Sequence, residues 1–124
     1  MKAYTDLEQS KMLSEFLSLD SADMCYVNDG TSIKIDANPY NVRKLMWKDY
    51  VDEVIPCWSL AALLVILQKT AYFIDEDANV MLDSYKTVEW DLGINNSDLE
   101  LVTESNPVDA CYEMIVKLNE LKLL

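Results

Sequence analysis

Asp75-Glu76-Asp77-Ala78-Asn79 is the stretch whose spacing comes nearest to a reactive or ligating site. Asp75, Asp77 and Asn79 occupy the first, third and fifth positions of a calcium loop, and Asp83 occupies the ninth. Such a loop also needs a glycine at its sixth position to turn the chain and a bidentate glutamate at its twelfth to close the oxygen shell. Val80 and Lys86 stand there instead. The expectation is therefore an acidic turn, with no metal held. Cys57 is the next candidate, since a thiol at a helix start loses its proton more easily in the helix dipole. No base or cation lies near it in sequence, and free cysteine is among the most buried residue types, so the reading is a structural core thiol.

What is missing narrows the chemistry further. The chain has no histidine, which removes Ser-His-Asp and Cys-His catalysis and the commonest metal ligand. Its only glycines are Gly30 and Gly93, so no glycine-rich phosphate loop exists. With 22 acidic residues some carboxylates must lie close together, so no pair can be singled out as a hydrolytic dyad from sequence. Trp47, Trp58, Trp90 and the seven tyrosines could stack on a ligand, but spacing assigns Trp58 and Trp90 to the core. No catalytic residue, cofactor or metal is expected.

Charge carries the rest of the compositional information. The net charge is −12, unevenly spread. Residues 1–69 hold ten acids and seven bases, whereas residues 70–116 hold eleven acids and a single base, Lys86. Nucleic acid and anionic membranes need lysine and arginine, so direct binding to either is disfavoured. A protein partner with a basic surface suits this chain, and a homodimer is compatible with it.

The elements that must position these residues follow from patterning. At 124 residues and half apolar, the chain suits one domain, residues 1–124, with a core that needs no disulfide. Its three cysteines have no metal spacing and read as reduced thiols. With no apolar signal run and no membrane-length span, the expected location is cytoplasmic. The central element is the apolar run Pro56–Leu67, expected to be a helix that starts near Pro56 and is buried on every side. Thr5-Asp6-Leu7-Glu8 has capping-box spacing for a helix to about Leu17, with Thr5 as cap. Met24–Val27 and Ser32–Asp36 flank Asn28-Asp29-Gly30 as a hairpin, and Asn38-Pro39-Tyr40 breaks it. Val42–Val54 favours a helix or irregular structure, with Arg43, Lys44 and Lys48 as its basic cluster.

Beyond the central helix, Ala71–Ile74, Val80–Leu82, Thr87–Leu92 and Leu99–Val102 read as strands, with turns at Asp75–Asn79 and at Gly93 to Asn96. Val88, Trp90 and Leu92 alternate with Glu89 and Asp91, so one face is wet. Asn106-Pro107-Val108-Asp109 starts the best-specified helix, running to about Leu121. The expected fold is α+β: one antiparallel sheet of about four to six strands with about three helices on one face.

Two stretches, Ile55–Leu64 and Asn106–Ile115, with the opening Leu7-Glu8-Gln9-Ser10-Lys11, resemble a family of small uncharacterised proteins encoded in gut Bacteroidales genomes and their phages or mobile elements. Gln68, closing Leu64–Gln68, departs from that pattern, where a proline often follows the last leucine. No activity is assigned to the family, so no functional residue carries over. The resemblance implies an intracellular accessory protein of a phage or integrated element.

The functional expectation is a non-enzymatic, protein-binding accessory factor whose acidic surface, Asp75, Glu76, Asp77, Glu89 and Asp91, meets a basic partner. The sharper form is an acidic decoy for a nucleic-acid-binding host protein. The rivals are a small structural or self-assembling protein and an enzyme that uses carboxylates or Cys57.

Overall fold

The computed structural model describes residues 2–46, 53–85 and 89–124. The readings for Trp47, Lys48 and the rest of 47–52, and for Lys86, Thr87 and Val88, lie outside the described residues. The chain falls into two compact units, Tyr4–Ala62 and Met1–Ala3 with Leu63–Leu124. The α+β class holds, but not as one sheet. Each unit has its own three-stranded antiparallel sheet, and the described residues form four α-helices rather than about three. None of those helices is long and apolar enough to cross a membrane.

In the unit Tyr4–Ala62, helix α1 (Leu7–Ser14) begins one residue later than the sequence suggests. Asp6 is the cap: its Oδ1 accepts from the Gln9 N–H at 2.8 Å, and Gln9 Oε1 accepts in return from the Asp6 N–H at 3.1 Å. Thr5 is instead fully buried, because its hydroxyl has partners inside, Ser10 Oγ at 2.8 Å and the Trp58 N–H at 3.2 Å. The helix ends at Ser14, short of Leu17, although Leu17 N–H still reaches the Leu13 carbonyl at 2.8 Å.

Strands β1 (Met24–Asn28) and β2 (Ile33–Asp36) form the expected hairpin. Gly30 takes φ +93° at its tip, a backbone region costly for a side chain. Asp29 holds the turn, accepting at Oδ1 from the Thr31 hydroxyl at 2.6 Å and from the Thr31 and Ser32 N–H groups. These bonds, the Thr31 hydroxyl first, favour the ionised form and lower the Asp29 pKa to about 2. A lowered folded-state pKa stabilises the turn above the unfolded carboxylate range, and that contribution is lost as pH falls toward 2. An NMR titration should therefore place the Asp29 carboxyl midpoint near pH 2. A midpoint near 4, the unperturbed value, would mean that the turn bonds do not persist in solution.

Helix α2 (Pro39–Met46) starts where the sequence was read as a break. Asn38 Oδ1 accepts from the Tyr40 and Asn41 N–H groups, and proline is well suited to a first helical turn. Strand β3 (Glu53–Cys57) then takes Val54 and Pro56 away from the expected helices and pairs with β1, giving the order β2-β1-β3. Pro56 is tolerated because β3 is an edge strand, where a missing N–H need break no ladder bond.

Helix α3 (Leu60–Ile74) belongs to both units in sequence. Ser59 Oγ accepts from the Ala62 N–H at 3.2 Å, and its hydroxyl donates to Asp23. The helix absorbs Ala71–Ile74, read above as a strand. Extending a formed helix adds one backbone bond per residue fixed, which outweighs the weak strand preference of Tyr72, Phe73 and Ile74. It is not buried all round either. Leu63, Leu67, Thr70 and Ala71 make one buried stripe, whereas Val65 and Tyr72 are exposed and Phe73 is 84% exposed.

In the second unit, β4 (Val80–Tyr85), β5 (Glu89–Ile94) and β6 (Val102–Glu104) form an antiparallel sheet in that order. Gly93 is inside β5 rather than in the turn, which falls on Asn95 and Asn96, where Asn96 takes φ 55°. The last strand starts at Val102, so Leu99 and Leu101 precede it. Helix α4 (Pro107–Glu120) starts as read, with Asn106 Oδ1 accepting from the Asp109 N–H at 2.9 Å. It packs on β5 and β6, burying Val108, Cys111, Met114, Ile115 and Leu118.

Candidate functional site

The antiparallel register divides the β4-β5-β6 sheet into two faces. Leu82, Leu92 and Val102 are matched across it, and the latter two are buried. The opposite face carries Met81 against Gly93, Asp83 against Asp91, and Asp91 against Thr103. Glu89 shares that face by the two-residue period of β5. Met81, Asp83, Glu89 and Thr103 are all exposed, and Asp91 is half-buried. The wet face expected from Glu89 and Asp91 is therefore present.

Asp83 and Asp91 sit directly opposite on adjacent strands, where β-carbons lie about 4.5–5.5 Å apart and like charges destabilise the pair. Thr103 Oγ1 donates to Asp91 Oδ1 at 2.7 Å and fixes that carboxylate. Among the described residues no lysine or arginine forms an ion pair with either acid. Beside them, Leu101 folds over Gly93: a β-carbon added at Gly93 would collide with Leu101 Cδ2. The result is a groove of about 290 Å³ lined by Met81, Asp83, Asp91, Gly93, Leu99 and Leu101 among others. Leu99 and Leu101 thus do share a side, as their spacing suggests, but from the segment ahead of β6.

Asp75, Glu76 and Asp77 lie elsewhere on this unit, on the exposed turn between α3 and β4. Asp75 Oδ1 accepts from the Asp77 N–H at 2.8 Å, and Asn96 Nδ2 donates to the Asp77 carbonyl at 3.4 Å. These contacts put the turn at the Val80–Ile94 end of the hairpin, whereas Glu89 pairs with Tyr85 at the other end. At about 3.3 Å per residue Glu89 lies more than 10 Å along the strand from that end, with Asp91 between. The structure thus splits the five acids into a tip and a face. The three tip acids also crowd the negative end of the α3 dipole, where cations are favoured. Among the described residues no cluster of three or more metal-ligating side chains forms.

Asp83 joins this candidate site, although its spacing in the sequence suggests only a calcium-loop position. The apolar run Val80–Leu82 ends the expected strand one residue short of it. The alternation of Met81 and Asp83 with Val80 and Leu82 was the signal that could have placed it on the wet face.

Cys57 is not at a helix start: it closes β3, and α3 begins three residues later. It is fully buried, its Sγ donates to the Thr5 carbonyl at 3.4 Å, and burial raises its pKa. Tyr26 donates to the same carbonyl at 2.8 Å. No buried side-chain nitrogen or oxygen among the described residues lacks a partner.

Compared with protein-family models, with curated proteins and with solved structures, the chain matches none.

Proposed function

We propose that this chain is a non-enzymatic accessory protein of a phage or mobile element that binds a protein with a basic surface, in its sharpest form as a decoy for a nucleic-acid-binding host protein. One observation carries the reading: the open face of the β4-β5-β6 sheet sets Asp83 against Asp91, with Glu89 on the same side, and no described cation neutralises them. A surface of one sign raises the free energy of the folded chain through self-repulsion, and a basic partner removes that cost. The tip acids Asp75, Glu76 and Asp77 extend the field that steers such a partner. The resemblance to the Bacteroidales family supplies the setting, and with it a cytoplasmic location. Net charge also confers solubility, so the test must separate binding from solubility alone.

Affinity capture from host lysate provides that test. Charge reversal of Asp75, Glu76, Asp77, Glu89 and Asp91 to lysine adds two charges at each position and takes the net charge from −12 to about −2. The wild type should retain a basic, nucleic-acid-binding protein at ~0.05 M salt, and the variant should hold it at least about tenfold more weakly. Raising salt to ~0.5 M, where the Debye length falls about threefold, should release it from the wild type. Circular dichroism of the variant checks that the fold is intact. Capture of no basic protein, or of one indifferent to both changes, overturns the reading.

A further inference from the structure

The groove beside Gly93 has a shape and composition that specify one kind of occupant. Its walls are apolar and exposed, with Met81 50% and Leu101 66% accessible, and Leu101 lies across the buried backbone of Gly93. Next to these walls lie the two opposed carboxylates. At about 290 Å³ it falls just under the ~300–1,000 Å³ of small-molecule sites, so it suits one long side chain better than a cofactor. Lysine and arginine are the side chains that lay an aliphatic stem along apolar surface and present a cation at its end. We propose that this groove receives a lysine or arginine side chain from a basic protein segment, with the stem on Met81 and Leu101 and the cation against Asp83 and Asp91. The inference deepens the function proposed above and rests on it for the class of partner. It adds that recognition is local to the groove rather than spread over the acidic surface.

Titration of the full chain with N-acetylated, C-amidated hexalysine, followed by amide NMR and calorimetry, tests the groove directly. Shifts are expected at Met81, Asp83, Asp91, Gly93 and Leu101. Asp83→Asn with Asp91→Asn should weaken binding about tenfold, the sum of two exposed ion pairs. Asp75→Asn, Glu76→Gln and Asp77→Asn together remove more charge but do not line the groove, so they should cost less than about threefold. Met81→Ser and Leu101→Ser, singly and together, leave the charge unchanged at exposed positions, and the pair should also cost about tenfold if the stem packs there. Thermal unfolding of each variant verifies folding. If the tip variant weakens binding as much as the groove variant, or the serine pair changes nothing, the groove proposal is wrong while the general acidic reading stands. If hexalysine does not bind, or binds indifferently to every acid, both fall.

Discussion

Replacement of Trp58 by alanine is expected to destabilise the Tyr4–Ala62 unit by about 3–5 kcal/mol, the cost of deleting a large buried aromatic side chain. Trp58 is fully buried, and both of its backbone polar groups bond to Thr5: its carbonyl accepts from the Thr5 N–H at 3.0 Å and its N–H donates to Thr5 Oγ1 at 3.2 Å. Its indole Nε1 donates to Ser21 Oγ at 2.9 Å. Removing the ring opens a cavity between segments far apart in sequence, against a total stability of only about 5–15 kcal/mol for a typical domain. With a urea slope of about 1–3 kcal/mol/M, the unfolding midpoint should fall by roughly 2 M. Trp58→Phe retains most of the packing and loses the indole bond, and should cost about 1–2 kcal/mol. A shift under about 0.5 M for Trp58→Ala would contradict the burial that the fold assigns to this residue.

Thiol labelling should show an equally large contrast. Cys25, Cys57 and Cys111 are all free and buried. Burial, with a smaller contribution from Asp36, raises the Cys25 pKa to about 11, and burial raises that of Cys111 to about 12. Against an ordinary thiol at 9.0, the thiolate fraction at neutral pH falls about a hundredfold for the first and about a thousandfold for the second. Cys57 moves in the same direction, since burial outweighs the bonds from Thr5 and Ser10. An aromatic disulfide reagent at pH 7.5 should therefore find almost no reactive thiol in the native protein and all three after denaturation. Rapid release of one equivalent from native protein, mapped to Cys57, would instead favour a cysteine-dependent enzyme.

The parts of the fold that were legible in the sequence are those fixed by local chemistry. Asn106-Pro107 with Asp109 marks a helix start because a cap, a proline and an acid act within one turn, and α4 begins there. Asn38-Pro39 carries the same first two signals and also starts a helix, yet it reads as a break, because it follows a hairpin and no long apolar stripe comes after it. Pro56 misleads for the opposite reason. It precedes an apolar run, but edge strands also tolerate proline, and only the pairing with Cys25 decides between the two. Without β3 the first hairpin has no third strand, so all the strands collapse into one expected sheet. The division into two sheets thus depended on a long-range pairing that no local pattern records.

The candidate site was legible by half for a similar reason. Alternation through Glu89, Trp90, Asp91 and Leu92 correctly assigns the wet face. What lies opposite Asp91 depends on register, and register depends on where β4 ends. The groove depends on contact across chain segments as well, since Leu101 can cover Gly93 only once the Ser97–Leu101 segment has folded back on the sheet.

Within its sheet β4 has a strand partner on one side only. Among the described residues its other edge starts with Val80-Met81-Leu82, a short apolar run on an edge open to strand addition once past the Val80 N–H, which donates to Gln68 Oε1 at 3.2 Å. Asp83 follows immediately and acts as a gatekeeper: antiparallel pairing of two such edges about their centre would bring two copies of the Leu82-Asp83 pair together, with the negative charges in repulsion. The acidity that the proposed function assigns to a basic partner would therefore also oppose fibre-like association of the chain with itself.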